Sequence, residues 1–157
     1  MTEPKKPYRT TIDDVPLEQN LREDEGWVDM QVQYLIDEKK AGSTDLVVGR
    51  TVLPPGARHD RHLHTDADEF LVVMSGHGEI HTNTGREPSK AGDVIFTPRG
   101  SYHGFVNTGD EDVVLIWGWS GDAASSTTAP RTWAGRPASG RRPRWSGSAP
   151  TGRWSAT

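Results

Sequence analysis

Short runs of β-forming residues, separated at close intervals by glycine and proline, occupy most of this 157-residue chain. From Trp27 to Ile36 every second residue is apolar, as expected of a strand with one buried face. We predict further strands at 45–53, 60–65, 69–75, 77–82, 93–97, 102–107 and 112–119, a polar turn at 37–43 and a short helix within 13–24. Many short strands without a sustained helical period predict an all-β sandwich or barrel.

Composition divides the chain into an N-terminal arm (1–24), a β domain (25–120) and a C-terminal tail (121–157). Of the 18 basic and 22 acidic residues, the tail holds six arginines and one aspartate. Residues 1–120 therefore carry 12 basic and 21 acidic side chains, a net charge of −9. Because an acidic body repels phosphate, we expect no nucleic acid partner for it.

Two features that the sequence lacks limit the possible metal ligands and the expected location of the protein. There is no cysteine, so a metal would have to be held by nitrogen and oxygen ligands. No apolar stretch is long enough to cross a membrane, and the N-terminal residues lack the apolar core of a secretory signal. We therefore expect no membrane association and a cytoplasmic location.

The tail contains serine, alanine, glycine, proline, threonine, arginine and three tryptophans, with no aliphatic residue larger than alanine. Such a composition cannot bury enough apolar surface to offset chain ordering, which predicts disorder. Its Arg-Trp pairs at 144–145 and 153–154 would suit an acidic surface or RNA, although charge runs are usually just solvated. An out-of-frame reading of GC-rich DNA would give the same composition, and the nucleotide sequence distinguishes these interpretations.

Residues 59–70, HDRHLHTDADEF, concentrate histidine and acid immediately before an apolar strand. In a strand, His62 and His64 would project to the same side. Four residues separate His64 from Glu69, enough for a turn, so we expect two antiparallel strands to bring Glu69 back beside them. His103 and Asn107 lie on a later strand. Three imidazoles and a carboxylate converging inside a barrel would form a metal site.

These residues fall into two blocks that resemble the two motifs of the cupin family, with 15 residues between the blocks. They are Gly56-x5-His62-x-His64-x4-Glu69-x6-Gly76 and Gly92-x5-Pro98-x-Gly100-x2-His103-x3-Asn107. The resemblance, which extends over about residues 25–120, implies a small antiparallel β-barrel, or jelly-roll-like double-stranded β-helix. It also implies metal ligation by His62, His64, Glu69 and His103.

Such a ligand set suits a divalent transition metal, with Fe(II) favoured and Mn, Ni, Co, Cu or Zn as alternatives. Two open positions would let a substrate chelate, or let substrate and O2 bind side by side. Glycines at 56, 76, 92 and 100 are interpreted as turn positions where φ is positive rather than as reacting groups.

Other side chains have two interpretations each. His77 and His81 share a strand face; they are the candidate catalytic acid or base if that face is inward, and are solvated if it is outward. His59 is out of phase with His62, which favours a surface position over a role at the mouth of the site. Trp117 and Trp119 are expected to pack in the core, with substrate contact as the alternative. For Arg50 we favour solvent over a carboxylate anchor.

The resemblance leaves two classes of function. The first is a metalloenzyme acting on a small organic molecule, with dioxygenase-type oxidation favoured and a lyase or decarboxylase close behind. The second is a non-catalytic module that binds a metal or small ligand. By analogy with cupins we expect a homodimer formed through sheet edges.

Overall fold

The computed structural model describes residues 6–120, which form two five-stranded antiparallel sheets facing each other. The strands are β1 (Trp27–Val28), β2 (Gln31–Ile36), β3 (Leu46–Leu53), β4 (Arg58–His62), β5 (Glu69–Ser75), β6 (His77–His81), β7 (Arg86–Lys90), β8 (Val94–Thr97), β9 (His103–Val106) and β10 (Val113–Ser120). The first sheet has the order β1-β4-β9-β6-β7 and the second has the order β2-β3-β10-β5-β8. This architecture confirms the predicted all-β fold of the barrel or jelly-roll type.

The core lies between the sheets and consists of the inward-facing apolar side chains of both. Val32, Leu53 and Val113 are fully buried in the second sheet, and Phe105 meets them from the first. At about 25 cal/mol per Å² of apolar area removed from water, this layer is the main favourable contribution to folding. The same layer surrounds the cluster of histidines described below.

The predicted single strand from 27 to 36 is wrong, because the chain changes sheets within it. Asp29 has a φ of 54°, a left-handed conformation that interrupts the strand. Consequently Trp27 pairs with His59 in the first sheet, whereas β2 pairs with β3 in the second. The apolar alternation continues across the break because both segments bury side chains in the same core.

The helix predicted within 13–24 is also wrong. Two three-residue 3-10 turns occur instead, at Ile12–Asp14 and Glu23–Glu25, and neither contains a buried residue. Pro16, which lacks a backbone N–H and cannot sit in a helix interior, explains why no longer helix forms.

Within the predicted polar turn at 37–43 the chain forms one helical turn, α1 (Glu38–Ala41). The Asp37 side chain accepts a hydrogen bond from the Lys40 backbone N–H, and Gly42 ends the turn at a φ of 68°.

Two strands also differ from the sequence prediction. The strand expected at 60–65 is β4, at 58–62, and β7 was not predicted. β7 is largely polar and contains Pro88, which is tolerated because the strand is at the edge of its sheet. The interpretations of residues 121–157 fall outside the described residues. Within 6–120, no helix has the length and apolarity needed to cross a membrane.

Candidate metal centre

His62 and His103 lie opposite each other on two neighbouring strands of the first sheet. They are register partners of β4 and β9, and their ring centroids are 4.2 Å apart. His64 follows two residues after His62, beyond the end of β4, and its ring lies 5.0 Å from that of His103. All three histidines are buried, each with 4% of its surface exposed. The structure thus brings the three predicted imidazoles together in the interior.

Glu69 reaches this cluster from the opposite sheet. It is the first residue of β5, which pairs with β8 and β10, whereas β4 belongs to the first sheet. The predicted antiparallel pairing of the His62 strand with the Glu69 strand is therefore wrong. The loop between β4 and β5 crosses from one sheet to the other, and Glu69 faces the histidines across the interior.

One carboxylate oxygen of Glu69 accepts hydrogen bonds from two imidazoles. Nε2 of His64 donates to Oε2 at 2.9 Å and Nε2 of His103 donates to the same oxygen at 3.1 Å. Burial alone would raise the pKa of Glu69, but these two imidazoles more than offset it and hold the pKa well below its usual range. Glu69 is therefore an ionised carboxylate in a dry environment.

The pKa values of His62 and His103 shift in opposite directions within the same buried cluster. Burial, together with the neighbouring rings of His59 and His103, lowers the pKa of His62 well below its usual value. For His103, burial opposes protonation, yet the carboxylate of Glu69 raises the pKa overall. His103 also has the Ser101 carbonyl 3.2 Å from Nδ1, so both of its ring nitrogens face acceptors.

The four side chains fit a divalent transition metal. One ligand atom from each lies within 4.8 Å of the others. Two ligands bonded to one ion at about 2.1 Å can be up to about 4.2 Å apart, so only a small inward shift is needed. The Nδ1 of His62 lies 2.8 Å from the Asp60 carbonyl, which leaves its Nε2 as the ligating atom. Three nitrogens and one carboxylate oxygen are a suitable donor set for such an ion.

Around the cluster, the wall of the cavity is mostly apolar and includes the rings of three tryptophans and one phenylalanine. Trp117 and Trp119 stack with centroids 4.8 Å apart and planes 12° apart, and both line the cavity. The indole N–H of Trp117 donates to the Thr51 hydroxyl at 2.9 Å, so this buried donor is satisfied. These tryptophans therefore belong to the core, as expected, and also line the cavity, while contact with a substrate stays a prediction.

His59 lines the same cavity, and the surface position favoured from its spacing is wrong. Its ring lies 4.0 Å from that of His62 and stacks on Trp27 at 4.2 Å. Burial lowers the pKa of His59 to about 3, so the ring is neutral at pH 7. The prediction assumed that successive side chains of β4 alternate between the two faces of the sheet. A register shift in the β4–β9 pairing between His59 and His62 interrupts this alternation. The sequence contains no signal for this bulge.

The remaining candidates lie away from the cavity. Ile80 of β6 lines the cavity, while His77 is exposed and neither it nor His81 contributes to the lining. His81 is buried elsewhere, and its Nδ1 has no hydrogen-bond partner among the described residues. Arg50 donates to the Gln33 side-chain oxygen at 2.9 Å and does not line the cavity either.

Glycines and one asparagine of the two sequence blocks shape the backbone around the site. Gly56, Gly76, Gly92 and Gly100 all have a positive φ, as predicted. Asn107 is 1% exposed and its amide nitrogen donates to the carbonyls of Leu53 and Glu111, both at 2.7 Å. Asn107 therefore stabilises the loop after β9 through these hydrogen bonds and does not line the cavity.

Known proteins share this sequence and this fold. A family model described as the cupin domain matches residues 49–119. An oxalate-binding protein from Thermotoga maritima is 34% identical over 97 residues, covering 62% of this chain and 78% of that protein. A gentisate 1,2-dioxygenase from Ralstonia sp. is 32% identical over 80 residues, which are 50% of this chain and only 22% of that enzyme.

The crystal structure of a predicted oxalate decarboxylase from Thermotoga maritima has a similar fold. It superposes with a TM-score of 0.62 at 23% identity, covering 73% of this chain and 99% of that one. At this identity the likeness concerns the fold alone. Together with the family model and the 34% identical relative, it establishes that the chain belongs to the cupin family.

Proposed function

We propose that this chain is a metalloenzyme that holds a divalent transition metal, with Fe(II) favoured, and oxidises a small organic substrate in a dioxygenase-type reaction. The ligands are His62, His64, Glu69 and His103. The observation that carries the proposal is the convergence of these four buried side chains, from both sheets, within 4.8 Å. The relative named gentisate 1,2-dioxygenase supports the favoured reaction type.

A bound metal of this kind supplies Lewis acidity and, if redox-active, electron transfer to O2. The protein's own side chains prepare the site for it. Glu69 is ionised and lies beside Nε2 of His64 and of His103, so an ion would take the place of the protons between these atoms with little movement of the carboxylate. The stacked Trp117 and Trp119 place apolar surface beside the ligands, and a low-polarity surrounding strengthens electrostatic interactions.

Oxidation is favoured over lyase or decarboxylase chemistry by the scarcity of proton-transfer groups. In the cavity lining that the structure describes, His59 is the single titratable side chain besides the four ligands. Burial keeps it neutral at pH 7, so it offers no proton for an acid-catalysed step. A reaction that moves electrons and O2 places a smaller demand on such groups than a lyase reaction does.

A second candidate function is that of a non-catalytic module that binds a metal or a small ligand. The relative named oxalate-binding protein, of which the chain covers 78%, favours this alternative. The same scarcity of proton-transfer groups is compatible with it, because binding requires no acid or base.

Oxygen consumption separates the two candidates. Protein loaded with Fe(II) under nitrogen is mixed with oxygenated buffer containing one of a panel of diketones, catechols and gentisate. We expect substrate-dependent O2 uptake that is lost in His64→Ala and retained in His77→Ala, whose target is exposed and outside the cavity. Tight ligand binding without O2 uptake or product for any metal and substrate would support the binding module instead.

A further inference from the structure

Apart from the candidate ligands, the cavity wall carries no charge in the part of the chain that the structure describes. Its lining contains no lysine, arginine or aspartate, and Glu69 is its single acidic side chain. Arginines on the surrounding strands are engaged elsewhere: Arg50 donates to Gln33 and Arg58 pairs with Asp60. Among residues 6–120, no cationic side chain lines the cavity where it could hold a carboxylate of a ligand.

Charge balance then limits what can bind. This step rests on the proposed metal site: a divalent ion, the carboxylate of Glu69 and neutral imidazoles leave one net positive charge. A ligand with one negative charge neutralises it, whereas a dianion leaves a negative charge in a low-dielectric cavity. The four protein ligands leave room on a six-coordinate ion for a chelating pair of oxygens.

The shape and polarity of the wall indicate the rest of the ligand. Trp117 and Trp119 present stacked, nearly parallel rings, and Trp27 lies at another side of the cavity against His59. Leu71 and Ile80 complete an apolar surface between them. Trp117 and Trp119 stack on each other and Trp119 also lies against His64, so this wall favours a ring or another apolar group through burial of apolar area.

We propose that the site selects a monoanionic ligand that chelates through two oxygens and carries an aromatic or apolar body, in preference to a compact dicarboxylate such as oxalate. This assignment separates the chain from its relative named for oxalate binding.

Isothermal titration of the Mn(II)-loaded full chain tests the proposal without turnover. Tropolone serves as the aromatic, two-oxygen monoanion and oxalate as the compact dianion, and each is also titrated into aqueous Mn(II). The ratio of the two affinities on the free ion corrects for intrinsic metal preference. We expect the tropolone-to-oxalate ratio to be about tenfold or more higher on the protein than on the free ion.

A paired substitution at the wall supplies the second measurement. Met30 is half-buried and lines the cavity, so Met30→Lys adds a cation and Met30→Gln adds polarity without charge. We expect the lysine variant, unlike the glutamine variant, to shift the preference toward oxalate. The proposal is overturned if the tropolone-to-oxalate affinity ratio of the wild-type protein is equal to or below that of free Mn(II). It is also overturned if tropolone does not bind to the metal-loaded protein. In both cases the metal site stands, whereas failure to load Mn(II) removes the metal site as well.

Discussion

His62 and His103 are register partners on adjacent antiparallel strands, and their rings lie 4.2 Å apart on the inner side of the first sheet. Backbone pairing of β4 with β9 therefore fixes the spacing of two of the four candidate ligands before any metal binds. Such preorganisation lowers the cost of assembling a site, because the sheet has already restricted the side chains.

Gly49 is required by the ring of Trp117, which lies against it from the neighbouring strand. A Cβ at position 49 would overlap Cζ2 and Cη2 of that indole. We predict that Gly49→Ala lowers the free energy of unfolding by about 1–3 kcal/mol and displaces a wall of the cavity. Gly85→Ala is the matched control, since a Cβ there meets no atom within 4 Å. Urea denaturation of the two variants should differ; equal midpoints would contradict the packing described.

His81 should make the stability of the fold fall as the pH is lowered. Burial, followed by the nearby charge of Arg86, lowers the pKa of His81 to about 4, whereas an unfolded histidine titrates near 6.5. Between these values the unfolded state binds more protons, so stability is lost as the pH falls from about 6.5 to about 4.

The comparison is between wild type, His81→Gln and His77→Gln, each without metal. We predict that His81→Gln weakens the dependence of the urea midpoint on pH between 7 and 5, while substitution of the exposed His77 leaves it unchanged. Parallel curves for all three proteins would show that His81 does not contribute.

A homodimer is proposed through the open edge of the second sheet. β8 is the edge strand, and its Val94 and Phe96 side chains are 73% and 67% exposed. Exposed apolar side chains on an edge strand favour association with another edge. We predict that Phe96→Glu converts a dimer into a monomer in light scattering, whereas Leu17→Glu, at an exposed site outside the sheets, does not. A wild-type monomer at high concentration would refute the proposal.

Much of the fold could be predicted from the sequence because local patterns determine it. Most strands could be located from alternating apolar residues and from the glycines and prolines between them. The motif spacing also identified four residues that the structure brings together, namely His62, His64, Glu69 and His103. Sheet membership could not be predicted this way. The loop before Glu69 would look the same in a hairpin as in a crossing between sheets.

Two irregularities of the backbone hid the remaining part of the site. The left-handed Asp29 turns Trp27 into the first sheet, and the bulge between His59 and His62 turns His59 inward. Both irregularities depend on the pairing of β4 with β1 and β9, which lie far from it in the sequence. A local sequence pattern carries no information about such pairing. Trp27 and His59 were therefore missed as a wall of the cavity.

The central claim concerns the metal, and its most direct test is the metal content of protein purified without chelator or histidine tag. Wild type, His62→Ala and His77→Ala are compared by elemental analysis, with circular dichroism to establish that each is folded. We predict about one divalent transition metal ion per chain in wild type and His77→Ala, and a metal content far below one per chain in His62→Ala with the fold retained, because a ligand of the ion is lost. An unchanged metal content in folded His62→Ala would contradict the central claim.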